Sequence, residues 1–285
     1  MASLIDIRRR LRSVRNIQQI TRAMKMVAAA KLRRSQDRVI AARPYAASLR
    51  DVLANVSARV REARHPLLAE RDEKKVLLMV VAGDKGLAGA FNANVNRAVG
   101  ALLREKSWEE VTLLPVGKKA FDFWKRRSIP IRASYPGIFS RLEFRHAREI
   151  AEILTGLFVS GEIDSAYVVY NEFKSIMTQV VRVERLLPIA RTAMSTAEQA
   201  VDYLFEPDPA EILARLLPRY LEFAVFKVLL ESAASENGAR MTAMDSSTKN
   251  AGDMIDSLTL TYNRARQARI TKELIEIVSG AAALD

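Results

Sequence analysis

Cysteine is absent from these 285 residues, which excludes a disulfide, a thiolate nucleophile and a cysteine metal site. Histidine is almost absent too, and His65 with His146 alone argues against a histidine metal centre. No apolar run approaches the roughly 20 residues a helix needs to cross a bilayer. The longest, Lys75 to Gly83, has the length of a strand. The first residues carry no apolar segment of the secretory kind, so no leader is expected there. What remains is a chain that is 49% hydrophobic with a formal net charge of +12. A chain that is nearly half apolar is not a disordered one. The excess of Lys and Arg favours an acidic or polyanionic partner without choosing among nucleic acid, anionic lipid and protein.

The two ends read as long helices. Ser3 with Asp6 sets a helix start, and apolar positions recur at Leu4, Ile7, Leu11, Val14, Ile17, Ile20, Met24, Ala28 and Leu32, a mean step near the coiled-coil period of about 3.5. Nothing breaks the pattern until Pro44, and the chain stays compatible with helix to about Ala63, before Pro66 stops it. At the other end Pro207-Asp208-Pro209 opens a stretch reaching Asp285. Within it Met241, Met244, Thr248, Ala251, Ile255, Leu258, Tyr262 and Ala265 alternate steps of three and four. A long helix with one narrow stripe cannot bury that stripe alone. The economical arrangement is that the two ends wrap around each other, antiparallel or parallel, with Ile17, Ile20, Met24, Val27 and Ala28 packed on the partner helix.

The middle has a different texture. Short β-rich runs at Val76–Gly83, Val111–Gly117, Ser165–Phe173 and Gln179–Pro188 alternate with helical stretches at Leu87–Lys106, Lys118–Arg126 and Leu142–Ser160. That alternation predicts a largely parallel sheet covered by helices. The expected division is a first coiled-coil helix over 1–66, a Rossmann-like α/β domain over 74–190, and a second coiled-coil helix over 209–285 that pairs with the first.

Catalytic patterns are missing. Gly83, Gly86 and Gly89 follow a strand and open a helix, but their spacing is G-x-x-G-x-x-G, which matches neither dinucleotide nor P-loop fingerprints, so a structural turn is expected. His146 lies between Glu143 and Glu149 on one helical face, where a solvated salt-bridge surface outweighs a metal site. Glu109 and Glu110 are adjacent and cannot point the same way on a regular element. No G-x-S-x-G elbow activates a serine.

Several long motifs in order carry a resemblance. Ile20–Gln36 (ITRAMKMVAAAKLRRSQ), Arg43–Ala46 (RPYA), Gly83–Asn92 (GDKGLAGAFN), Tyr170–Phe173 (YNEF), Tyr203–Pro209 (YLFEPDP), Ala234–Ala251 (ASENGARMTAMDSSTKNA) and Ala265–Leu284 (ARQARITKELIEIVSGAAAL) are similar to the gamma subunit of the rotary F-type ATP synthase, over the full length. The resemblance implies an α/β chain: a long antiparallel two-helix coiled coil from the N- and C-terminal segments, with an inserted Rossmann-like domain. It implies a central rotor shaft that couples ion flow through a membrane c ring to ATP synthesis or hydrolysis on beta subunits, itself without catalytic residue, metal or cofactor.

Partners implied by the resemblance are the ring of three alpha and three beta subunits, the epsilon subunit and the c ring, with the membrane met only through the complex. Met24, Lys25, Arg240, Gln267, Thr271 and Glu273 would meet loops of the beta subunits. Ile275, Val278, Ala281 and Leu284 would form an apolar bearing tip, and Tyr45, Phe205 and Glu206 would face the c ring. Lacking cysteine, the chain cannot carry the thiol control found in plastid members. With the shaft motif starting right after Met1, a bacterial protein peripheral to the cytoplasmic side of the inner membrane is expected. Two rivals stand beside this. Arg8, Arg9, Arg10, Arg12, Arg15, Arg22, Lys25, Lys31, Arg33 and Arg34 would suit a nucleic-acid backbone, and the middle domain could be a nucleotide-dependent enzyme.

Overall fold

The apolar run at the centre of the chain becomes the middle of a sheet. In a computed structural model describing residues 3–59, 65–190 and 208–282, β1 (Lys75–Val81) lies between β2 (Glu110–Val116) and β3 (Ser165–Phe173) and is parallel to both. A fourth strand, β4 (Gln179–Leu187), joins β3 antiparallel, giving the order β2-β1-β3-β4. Alternation along β1 sorts its side chains into two cores. Val76, Leu78 and Val80 face one side, with Val95 and Val99 of α2 (Phe91–Glu105) and Ala120 and Trp124 of α3 (Lys118–Trp124). Leu77, Met79 and Val81 face the other, with Ile150, Leu154 and Phe158 of α4 (Phe144–Val159). A strand buried on both faces has no use for polar residues, which is why this one reads as an unbroken hydrophobic run.

The long helices are α1 (Leu4–Arg59, 56 residues) and α5 (Pro209–Ala282, 74 residues). Asp208 starts α5, its carboxylate accepting from the Ala210 N–H at 3.2 Å, and Pro209 occupies the first turn, where its missing N–H costs nothing. Pro44 and Pro218 both lie inside helices.

The chain divides into two compact units. One, residues 29–240, contains the sheet, its helices and the adjoining parts of α1 and α5, whose Leu49, Leu53, Val56, Leu213, Leu217, Leu221 and Val225 belong to the same core as α4. The other comprises residues 1–28 and 241–285. In it α1 and α5 run antiparallel in constant register: Arg8 faces Tyr262, Gln18 faces Gly252, Thr21 faces Thr248 and Lys25 faces Asp245, so facing numbers add to 269 or 270.

That register corrects part of the expected seam. On α5 the stripe from Met241 to Ala265 is buried or half-buried throughout, as its spacing predicts. On α1 the inward line is Leu4, Ile7, Leu11, Val14, Gln18, Thr21, Lys25 and Ala28, while Ile17, Ile20 and Val27 are 48%, 58% and 56% exposed. Two stripes one residue apart compete here, and one residue rotates the face by about 100°. The strict alternation of three and four begun by Leu4, Ile7, Leu11 and Val14 selects the more polar one. Its polar members are matched across the seam: Thr248 donates to Thr21 Oγ1 at 2.8 Å and Thr21 donates to the Gln18 carbonyl at 3.0 Å.

Candidate partner-binding surfaces

Apolar side chains left outside the coil define the first surface. Ile17, Ile20 and Val27 form a stripe on the outer side of α1, with half-buried Met24 at its edge. Lys25, one step round the helix, belongs instead to the seam, where its Nζ sits 2.5 Å from Asp245 Oδ1 and Lys249 Nζ is 3.3 Å from Oδ2. The hydrogen bond from Lys25, then that from Lys249, holds the Asp245 carboxyl below the usual carboxylate range.

The second surface follows from unequal helix lengths. With facing numbers adding to 270, the first turn of α1 at Leu4 lies level with residue 266, so among the described residues the last part of α5 has no partner on α1. Every side chain from Arg266 to Ser279 is exposed, including Ile270, Leu274, Ile275, Ile277 and Val278 at 48% to 68%. Residues 266–282 amount to about 25 Å of lone helix. Gln267, Thr271 and Glu273 lie on it, the last paired with Arg269 at 2.7 Å. Ile275 and Val278 point into solvent, Ala281 lies in the last helical turn, and Leu284 falls outside the described residues. Met24 and Lys25 are therefore grouped with each other, while Gln267 and its neighbours stand about 22 residues, roughly 33 Å, further along the coil.

Arg240 belongs to the other unit, and its guanidinium is already committed. Nη2 lies 2.5 Å from Glu236 Oε1 and 3.3–3.4 Å from the carbonyls of Gly86 and Lys85, with the side chain only 12% exposed. Burial pushes the Glu236 carboxyl above its ordinary range, against the pull of Arg240. The same loop explains the glycine pattern. A Cβ on Gly83 would stand 2.7 Å from Glu236 Cδ. Asp84 accepts from the backbone N–H groups of Lys118, Gly137 and Phe139 at 2.7–3.0 Å, so a carboxylate already caps the N-terminus of α3, where a phosphate would need to bind. Asn92 bridges the loop by accepting from the Gly83 N–H at 2.8 Å.

His146 is likewise engaged locally, its Nδ1 accepting from the Glu143 N–H at 3.2 Å in a capping box at the start of α4, and Glu143 pairs with Arg141 and Arg145 rather than presenting a free acid. Among the described residues no three His, Asp or Glu side chains are grouped to hold a metal ion, and no helix is long and apolar enough to cross a membrane. Tyr45 is 55% exposed with its ring centroid 5.3 Å from that of Phe223. Phe205 and Glu206 lie outside the described residues. Sequence reasoning missed Gln18 and Thr21 as seam residues, although counting threes and fours from Leu4 reaches both.

Comparison with known proteins accords with this geometry. A family model described as ATP synthase matches residues 3–284. The ATP synthase gamma chain of Solibacter usitatus is 53% identical, covering all of both chains. That of Anaeromyxobacter dehalogenans is 50% identical, again across both full lengths. Among solved structures, a central stalk/c-ring structure of the Tetrahymena thermophila mitochondrial ATP synthase contains a chain that matches with a TM-score of 0.62 at 29% identity, over 80% of this chain and 98% of its own. A chain of the Euglena gracilis mitochondrial enzyme shares the fold, with a TM-score of 0.70 at 23% identity over 99% and 94%. Two helices of unequal length in an antiparallel coil, an α/β body and a match running almost end to end have one common explanation: the chain belongs to the ATP synthase family, as one of its gamma chains.

Proposed function

We propose that this chain is the non-catalytic central shaft of a rotary ATP synthase, turning inside a ring of three alpha and three beta subunits above a membrane c ring, with epsilon beside its α/β body. The observation that carries the reading is apolar surface which the chain's own coil leaves uncovered: the Ile17/Ile20/Val27 stripe on one side of α1, and the lone end of α5. Exposed apolar stripes of this kind mark interaction sites, and here they occupy one flank and one tip of an asymmetric rod. A rod with unlike sides can touch only one of three identical neighbours in a given way. Each orientation then favours a different conformation at each beta subunit, to the extent of its differential contact energy. Turning the rod exchanges the three roles.

Met24 supports this role at the border of the outer stripe. Lys25 acts through the seam, fixing α1 against α5 by its pair with Asp245. Gln267, Thr271 and Glu273 offer polar contacts to beta loops, and Ile275 and Val278, with Ala281 and Leu284 beyond, offer apolar ones in which no hydrogen bond must break during rotation. Arg240 braces Glu236 and the Lys85–Gly86 carbonyls rather than reaching outward. Tyr45, Phe205 and Glu206 would meet the c ring. The two gamma chains compared over their full length are bacterial, which supports the cytoplasmic face of a bacterial inner membrane as the location. The family assignment displaces the nucleic-acid reading.

Mixing the purified chain with alpha and beta subunits of the family tests the proposal. A stoichiometric complex with ATPase activity is expected, weaker when the chain is cut after Val278, and with circular dichroism showing the α/β body intact in the cut chain. Failure to form the complex would defeat it.

A further inference from the structure

A cavity of about 280 Å³ in the sheet-containing unit is walled by α1, the Asp84–Lys85 loop, residues 139–142 and α5. The wall carries six cations, Lys31, Arg34 and Arg38 from α1 with Lys85, Arg141 and Arg240, against two carboxylates, Asp84 and Glu236, an excess of four positive charges. Both carboxylates are occupied: Asp84 by three backbone N–H groups, Glu236 by Arg240. Arg38 donates to the Leu142 carbonyl at 3.2 Å and Arg141 pairs with Glu143 at 2.7 Å, both staying on the cavity wall. Lys31, Arg34 and Lys85 make no ion pair among the described residues.

We infer that this cleft binds a small, multiply charged oxyanion of the inorganic diphosphate class. The volume falls just under the range of pockets for drug-sized ligands, so it suits a compact ion. Low-dielectric walls supplied by Phe139, Leu142 and Leu230 focus the field of the three uncommitted cations. Guanidinium forks such as Arg34 match the paired oxygens of a phosphoryl group. The cleft is held open by internal pairs rather than by the ligand: the buried Glu236–Arg240 bridge fixes α5 to the loop, and Asp84 fixes the loop to residues 137–139. Binding there is separate from the shaft reading and would stand or fall without it.

Isothermal titration of the full chain with inorganic diphosphate at physiological salt tests the inference. One saturable site is expected, weakened about tenfold or more by Lys31→Ala/Arg34→Ala, a tenfold step being about 1.4 kcal/mol. Arg9→Ala/Arg10→Ala, exposed cations outside the cleft, should leave the titration unchanged. No saturable heat would overturn the inference, as would equal weakening by both double variants, which would mean attraction by net charge alone. Displacement of diphosphate by an aspartate- and glutamate-rich peptide at lower concentration would also overturn it, assigning the cleft to an acidic protein segment.

Discussion

Replacing Arg240 by methionine removes the cation that pairs directly with a nearly buried carboxylate, leaving only the weaker pull of Lys31. Glu236 is 5% exposed, its carboxyl lies under Gly83 where even a methyl group would not fit, and Asp84 adds a second negative charge nearby. Breaking one partner out of a buried pair costs about 3–5 kcal/mol, because the other charge stays uncompensated. The sign with pH follows from linkage. Burial already raises the folded-state pKa of Glu236 above its unfolded value, and losing Arg240 raises it further. The protonated form is therefore the one favoured by folding, and its contribution is fully present below the unfolded value near 4.3 and lost as pH rises through the folded one. Relative to wild type, Arg240→Met should cost little at low pH and about 3 kcal/mol at pH 8, building at about 1.4 kcal/mol per pH unit.

Glu236→Gln behaves differently. It keeps a carbonyl oxygen for Arg240, which retains the Lys85 and Gly86 carbonyls, and it removes the charge whose desolvation outweighs its pairing. A change within about 1 kcal/mol is expected, and Arg240→Met/Glu236→Gln should recover most of the single-variant loss. Urea unfolding followed by circular dichroism between pH 5 and 8 measures all four proteins. A loss that does not vary with pH, or a double variant as unstable as Arg240→Met, would show that Arg240 acts through packing and carbonyl contacts and would refute the electrostatic account.

Two glycines should respond in opposite ways. Gly117 has φ +89 and a Cβ there would fall 2.0 Å from the Ala82 carbonyl oxygen, so Gly117→Ala should lower thermal stability by more than about 2 kcal/mol or abolish folding. At Gly252 the nearest obstacle is the flexible Gln18 amide at 3.3 Å, and Gly252→Ala should be neutral or gain up to about 1 kcal/mol from helix propensity; a thermal melt by circular dichroism decides both. Tyr167, pushed up to about 12 by burial and by donating to Glu73 at 2.6 Å, should ionise late in a 295 nm titration. Its contribution to stability is present below the ordinary value near 10 and lost as pH rises through about 12, and Tyr167→Phe should remove that late step and flatten the alkaline loss of stability.

Periodicity alone determined that both ends of this chain are helices, that α5 carries its seam from Met241 to Ala265, and that the centre is a sheet. Those conclusions need only local geometry, since 3.5- and 2-residue repeats are written in side-chain order. The motifs from Ile20 to Leu284 went further and carried the family. Tertiary structure decided what local order leaves degenerate. Stripes Ile17/Ile20/Met24/Val27 and Gln18/Thr21/Lys25/Ala28 are one residue apart: apolarity favours the first and the three-four count from Leu4 the second, and pairing against α5 settled the conflict for the second, because register is a property of two helices together. Likewise Arg240 reads as one more surface cation in the sequence, and folding turned it inward because Glu236, four residues before it, is buried beneath a glycine from a distant loop.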